Sequence, residues 1–229
     1  MLISYFDYLN RLPSYITNYN CNNFTVMFRL IIFCNFLVLL VGCNLSSTDK
    51  KLPILGDPII VGNDTNYPIV PNFEFRNQNN QLINNNTFKD KIYVASFIFL
   101  DCPTICPKMT KETEKVYKHY LNNNRIAFMS HTIDPEHDTI QKLKAYANRL
   151  GISHSKWHFV TGEKKEIYDI AENGYFTIAG EDSTAPGGYI HGGGLLLVDK
   201  HRHIRGVYDG TDKKETKRLI KDIELLVKE

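Results

Sequence analysis

Phe97-Ile98-Phe99-Leu100-Asp101-Cys102-Pro103-Thr104-Ile105-Cys106-Pro107 sets an apolar run directly against two cysteines and a proline. Residues 92–100 are apolar and β-prone and read as a buried strand. Residues 108–121 follow as an amphipathic helix, with Pro107 suited to its first turn, where a missing N–H costs nothing. The chain therefore delivers two thiols from the end of a strand to the start of a helix. The partial positive charge of a helix N-terminus favours thiolate over thiol, and the thiolate is both nucleophile and metal ligand. The C-x-x-x-C spacing is one residue wider than the redox C-x-x-C. It lets two sulfurs spread around an ion and still allows them to close into a disulfide, so thiol redox chemistry and metal binding both stand.

Outward from this stretch, helical and strand patterns alternate. Residues 72–76 and 81–83 flank Asn77-Gln78-Asn79-Asn80 and read as a β-hairpin. Residues 125–132, 157–160, 194–199 and 204–208 read as strands, the last two as a hairpin pair. Residues 139–149, 164–172 and 212–227 read as helices, each with an apolar face. This order predicts an α/β fold, a three-layer sandwich of thioredoxin-like type with an N-terminal β-hairpin.

The protein has 229 residues and five cysteines. Cys21, Cys34 and Cys43 lie in or beside residues 30–41, an almost wholly apolar run preceded by Arg29. This run is shorter than the roughly 20 residues of a comfortable membrane span and matches a secretory signal. Leu40-Val41-Gly42-Cys43 resembles a bacterial lipoprotein box, with cleavage before Cys43 and lipidation of its thiol; an uncleaved short anchor is the other reading. Residues 1–42 are thus expected as a signal segment, with Met27 as the expected start of translation. Residues 43–66, mixed and aperiodic, are expected as a lipidated tether, and 67–229 as the folded domain. Both readings of the N-terminus place that domain outside the cytoplasm, on the periplasmic side of a membrane, where Cys102 and Cys106 have each other as partners.

Composition agrees with one globular domain: 43% hydrophobic and 12% aromatic. A net charge of +2 from 27 basic and 25 acidic residues, with no dense basic run, sets nucleic acid aside as a partner.

Four ordered motifs resemble the Sco/SenC family of copper-handling proteins. Asp101-Cys102-Pro103-Thr104-Ile105-Cys106-Pro107-Lys108-Met109 is similar to its dithiol motif, and residues 130–139, Ser-His-Thr-Ile-Asp-Pro-Glu-His-Asp-Thr, to its S-x-x-x-D-P-x-x-D-T. Trp157-His158-Phe159-Val160-Thr161-Gly162 resembles its W-x-x-x-T-G turn, and Tyr189-Ile190-His191 the segment bearing its essential histidine, with His191 expected to open the 194–199 strand after a Gly-rich loop. The likeness runs from about Tyr67 to the C-terminus. It departs at Gly192-Gly193-Gly194, more flexible than usual after the histidine, and at Asp101, where a small polar residue is expected.

The resemblance implies a metal site of Cys102, Cys106 and His191. A Cys2His set is soft and suits Cu(I), and the resemblance extends it to Cu(II), with zinc as competitor. It further implies a metallochaperone that passes copper to the binuclear copper site of a cytochrome c oxidase subunit, supported by a thiol reductant protein. The alternative is an enzyme, a thiol-disulfide oxidoreductase with Cys102 attacking and Cys106 resolving. His191 separates the two, because a simple dithiol reductase has no use for an imidazole ligand. Asp134 is a candidate for orienting a ligand or partner from behind the metal. Asp138 is expected as the N-cap of the 139–149 helix. His131 and His137 flank Asp134 and are expected off the metal. His158 is expected to be packed, and His119, His154, His201 and His203 solvated. Met109 is expected in the core rather than as a thioether ligand.

Overall fold

The structure, a computed structural model, describes residues 51–152 and 156–229. The expected signal segment, Met27, the three N-terminal cysteines with the lipidation candidate Cys43, and His154 lie outside the described residues.

Seven consecutive buried residues, Ile92–Ile98, form the central strand. A strand buried on both sides reads as a continuous apolar run, which is why 92–98 shows no alternation. In chain order the strands are β1 (Ile59–Val61), β2 (Asp64–Asn66), β3 (Glu74–Asn77), β4 (Leu82–Asn84), β5 (Ile92–Ile98), β6 (Ile126–Thr132), β7 (Trp157–Thr161), β8 (Ala179–Glu181), β9 (Tyr189–His191), β10 (Gly194–Val198) and β11 (Ile204–Asp209). The helices are α1 (Cys106–His119), α2 (Ile140–Arg149), α3 (Lys164–Asp169) and α4 (Lys213–Lys228). The main sheet has the order β11-β10-β5-β6-β7-β3-β4. β5, β6 and β7 run parallel, from Ile92 opposite Ile126 to Ile98 opposite Thr132. β10 lies antiparallel to β5, and β11 and the β3–β4 hairpin complete the two edges.

Alternation along β5 sends Val94, Ser96 and Ile98 to one face and Tyr93, Ala95 and Phe97 to the other. On the first face, Tyr117 of α1 packs on Phe128 and Trp157, and the Tyr146 hydroxyl of α2 donates to Thr110 of α1 at 2.9 Å. The Trp157 indole N–H and the Ser96 hydroxyl meet at Ser130 Oγ, at 3.0 and 2.8 Å, so the polar atoms under these helices are paired. On the second face, Phe97 stacks on His131 with ring centroids 4.6 Å apart, and Tyr175 and Phe75 meet the same imidazole edge-on. Helices on one side, the sheet, and the segment around Tyr175 on the other make the three layers of the thioredoxin-like sandwich.

Several elements differ from the sequence reading. The 164–172 helix is α3 followed by a wider π-type turn over Ile170–Gly174. Asp138 does not cap α2: the cap is Thr139, whose hydroxyl accepts from Lys142 N. The Asp138 carboxylate instead accepts from Leu100 N at 3.1 Å and from the Thr132 hydroxyl, tying the ends of β5 and β6 together. Residues 51–66, expected within the tether, hold the β1–β2 hairpin and a segment seated on the sheet edge. Leu55 N donates to Ile204 O at 2.8 Å, and the buried Arg205 guanidinium donates to the carbonyls of Leu52 and Pro53 as well as to Asp199 and Glu229. Four partners, two carbonyls and two carboxylates, keep that buried cation satisfied.

Candidate metal centre

β5 ends at Ile98, and Phe99–Ile105 turn over the end of the sheet before α1 starts at Cys106. Pro107 occupies the first turn of α1, and the helix has no side-chain cap, so its N-terminal N–H groups face the dithiol loop. Cys102 and Cys106 are 7% and 4% exposed, both as free thiols. Burial alone would raise the Cys102 thiol. Hydrogen bonds from the backbone of Cys106 and Thr104, and from their side chains, outweigh it and hold the thiol below its ordinary range. Burial pushes the Cys106 thiol far up, and the neighbouring Cys102 and Asp138 add to the rise. Cys102 is therefore the more readily deprotonated of the two sulfurs and Cys106 the less.

His191 reaches this pair from the opposite face of the sheet. It does not open β10, as the sequence suggested, but closes β9 of a separate two-stranded hairpin, β8–β9, and Gly192-Gly193 joins it to β10. The His191 Nε2 lies 3.0 Å from Cys106 Sγ, and its Nδ1 lies 3.2 Å from the Gly192 carbonyl. A carbonyl only accepts, so Nδ1 carries the proton and Nε2 presents a lone pair to the sulfurs. Burial holds the imidazole below its usual range, with the Gly192 carbonyl opposing weakly, which keeps it neutral and able to ligate. The ligand atoms of Cys102, Cys106 and His191 all lie within 4.8 Å of one another, and among the described residues this is the one such group of three. Two sulfurs and a bare imidazole nitrogen converge as a preformed Cys2His set for a soft ion.

The hairpin is seated by contacts that the sequence did not single out. Phe99 meets His191 edge-on with centroids 5.9 Å apart and Tyr189 at 5.2 Å. Gly187, at φ +84, lies so close to Phe99 and Pro103 that a Cβ there would stand 2.9 Å from the ring. Burial raises the Tyr189 phenol strongly, and its hydrogen bond to the Asp134 carboxylate adds to the effect. Asp134 is buried and also accepts from His137 Nδ1 at 2.8 Å, which raises that exposed imidazole. Asp134 thus touches the ligand hairpin through Tyr189, two residues before His191. The Pro186-Gly187-Gly188 run was the one signal in the sequence for this seat.

The other candidates are elsewhere. His131 is fully buried in the aromatic layer, and its Nε2 has no partner; burial lowers it to about 4. His158 is buried too, with Nδ1 3.2 Å from the Asn77 amide. Met109 is a core residue, 1% exposed. His203 is partly buried, its Nδ1 3.6 Å from Asp199, and His119 and His201 are exposed.

The SCO1/SenC family model matches residues 62–228. The chain belongs to the SCO1/SenC family. A SCO1/SenC family lipoprotein from Bacillus anthracis has the same fold with a TM-score of 0.64 and 26% identity, over 76% of this chain and 99% of that one. BsSco, described through a disulfide switch and as a Sco family cytochrome c oxidase assembly protein, matches with a TM-score of 0.63 and 26% identity, over 77% of this chain and 98% of its own. A relative from Stutzerimonas stutzeri named for copper binding is 25% identical over 177 residues, covering 75% of this chain and 84% of that protein. Among the described residues of this Sco/SenC member, no helix is long and apolar enough to cross a membrane.

Proposed function

We propose that the protein is an extracytoplasmic metallochaperone that carries copper on Cys102, Cys106 and His191 and delivers it to the binuclear copper site of a cytochrome c oxidase subunit. The observation that carries this reading is the bare Nε2 of His191 aimed at Cys106 Sγ at 3.0 Å. A dithiol used only for electron exchange needs no imidazole lone pair beside it. Thiolate sulfur favours Cu(I), and a neutral imidazole completes a three-coordinate set. Copper is cargo here, so the ligands hold it without a resident cofactor. Asp134 would steady the hairpin that bears His191, acting through Tyr189. Lipidation at Cys43 after removal of residues 1–42 would keep the domain on the periplasmic face of a membrane; the similar Bacillus anthracis protein is named a lipoprotein.

The split between the two thiols favours a second reading, a thiol-disulfide oxidoreductase acting on the recipient's copper-site cysteines. Cys102 thiolate would attack the recipient disulfide, releasing one recipient thiolate and forming a mixed disulfide. Cys106 would then attack Cys102 Sγ, releasing the second thiolate and leaving Cys102–Cys106 oxidised. That disulfide removes both sulfur ligands, so copper loading requires a thiol reductant protein. The test is Cu(I) stoichiometry under anaerobic conditions, against a Cu(I) chelator, with His191→Ala and Cys102→Ser/Cys106→Ser for comparison. One copper per chain, weakened by the first variant and abolished by the second, is expected. Indifference to His191 would leave the reductase reading.

A further inference from the structure

Helices α1 and α4 carry ten Lys and Arg residues against five Asp and Glu, whereas the rest of the chain carries seventeen against twenty. Lys108, Lys111, Lys115 and Lys118 recur at helical spacing and are all exposed, opposite the buried Met109, Thr113, Val116 and Tyr120. On α4, Lys214, Lys217, Lys221 and Lys228 do the same opposite Leu219, Ile223 and Leu226. The two helices lie side by side in the same direction. Thr216 donates to Glu112 at 2.9 Å near their starts, and the Tyr120 hydroxyl donates to Ile220 O at 2.8 Å further along. Both lysine stripes therefore face solvent from one layer.

Local acids neutralise part of this face: Glu112 pairs with Lys115, Glu114 with Lys118, and Glu215 and Asp222 with Arg218. Lys108, Lys111, Lys214, Lys217 and Lys221 make no ion pair among the described residues. The first four of these sit in the opening turns of their helices, and both openings border the ligands. α1 begins at Cys106 itself, and the loop into α4 is bound to the segment after His191 through Gly210 N to Gly193 O at 2.8 Å. Of the acids at this end, Asp209 and Asp212 accept from the N–H groups of Thr211 and Lys214 and Asp101 is exposed beside Cys102; these three carboxylates offset part of the charge of Lys108, Lys111, Lys213, Lys214 and Lys217.

We propose that this basic face docks an acidic protein surface that lies beside the ligands of the copper acceptor; the inference rests on the delivery reading above. The unpaired charge concentrates where an acceptor must approach, because buried sulfurs release an ion only to ligand atoms brought within bonding distance. A lipid headgroup layer would meet the charge equally well but cannot receive the metal. Opposed charge of this kind acts mainly on association, raising on-rates about tenfold or more at low salt. Beyond about 10 Å it is screened at 0.1 M ionic strength.

The test uses the full chain in nonionic detergent, loaded with Cu(I), mixed with the copper-centre domain of the oxidase subunit from the same organism. Transfer is followed by rapid mixing at about 20 mM and about 300 mM salt. The wild type is expected to slow about tenfold at the higher salt. Lys108→Glu/Lys111→Glu/Lys214→Glu/Lys217→Glu is expected to slow transfer at least about tenfold at low salt and to lose the salt dependence, with copper stoichiometry unchanged. The Gln series at the same positions, which spares the fold any new repulsion, is expected to fall between. Lys142→Glu/Lys144→Glu on α2 should transfer at the wild-type rate. Rates indifferent to salt and to the four-lysine reversal would overturn the proposal. So would vesicles of phosphatidylcholine and phosphatidylglycerol that bind the wild type but not the reversal while transfer is unchanged. If no copper passes at any salt, the delivery reading fails; fluorescence anisotropy of the two metal-free proteins then decides the surface separately, and association indifferent to the reversal overturns it.

Discussion

Gly187→Ala separates the seating of the ligand hairpin from the stability of the domain. The residue sits at φ +84, and an added Cβ would lie 2.9 Å from two carbons of the Phe99 ring and 3.3 Å from Pro103 Cδ. Phe99 is 2% exposed and edge-on to His191, so the ring cannot retreat without moving the ligand. The left-handed backbone costs an alanine about 1–2 kcal/mol, and overpacking a filled site about 1–3 kcal/mol more. The β8–β9 hairpin is not hydrogen-bonded into the main sheet, so in the metal-free protein it can lift and relieve the overlap. With copper bound, His191 must stay opposite the sulfurs and the cost remains. About 3 kcal/mol confined to the loaded state lowers Cu(I) affinity about 100-fold, at 1.4 kcal/mol per decade. Gly188→Ala is the control: φ is +83 but nothing lies within 4 Å, so only the backbone cost applies and the loss is about tenfold or less. Competition against a chromophoric Cu(I) chelator reads both, and thermal melts of the metal-free variants should stay within about 2 °C of the wild type. Equal losses in the two variants, or a Gly187→Ala affinity within about threefold of wild type, would refute the argument that contact with Phe99 and Pro103 supports ligation.

The remaining predictions concern thiols and stability. Because Cys102 is lowered and Cys106 raised, iodoacetamide at neutral pH should label Cys102 first, and Cys102→Ser should abolish the fast phase; equal rates at the two thiols would contradict the split. His131 and His158, both lowered by burial from 6.5 to about 4, titrate below the unfolded chain, which binds more protons between those values. Their stabilisation is complete above about pH 6.5, is lost as pH falls to about 4, and amounts to roughly 3 kcal/mol each. Urea unfolding at several pH values should show this slope, and His131→Phe, which also removes the unpartnered Nε2, should flatten it. Lys156 donates to the carbonyls of Tyr120, Leu121 and Asn123 at 2.5, 2.8 and 2.6 Å just past α1. Lys156→Met should cost about 3 kcal/mol and roughly 6–12 °C in Tm, followed through Trp157 fluorescence, and a change below about 1 kcal/mol would mean that water serves those carbonyls as well.

Much of this was legible in the chain because the decisive residues are local signals. A continuous apolar run ending in Cys102-Pro103-Thr104-Ile105-Cys106-Pro107 can only be a buried strand passing into a helix, and that is what places two sulfurs at an N-terminus. The β3–β4 and β10–β11 hairpins announced themselves through turn residues between short apolar runs. The β8–β9 hairpin did not, since Ala179-Gly180-Glu181 has no apolar alternation, is three residues long and is paired only with Tyr189–His191. His191 was therefore assigned to the wrong strand although its part in the ligand set was read from the family motif. Asp138 misled for a related reason: a side chain before a helix usually caps it, but here two donors from the ends of β5 and β6 compete for the same oxygen. The seating of residues 51–55 was invisible because it depends on Arg205, about 150 positions away.

The Arg205 clamp has a mechanical consequence. Load arriving along the chain from residues before Leu52 enters the domain at Arg205, through the Leu52 and Pro53 carbonyls and the Glu229 carboxylate. Val198 pairs with Ile204 at that end of β10–β11, while Gly194 pairs with Asp209 at the end beside the ligands, about 13 Å along the strands from Arg205. A pull at Leu52 would thus be borne in shear by β11 and its neighbour β10, while the β8–β9 hairpin is paired in a separate sheet. A load entering on that side would be taken up there, away from the pair of sulfurs.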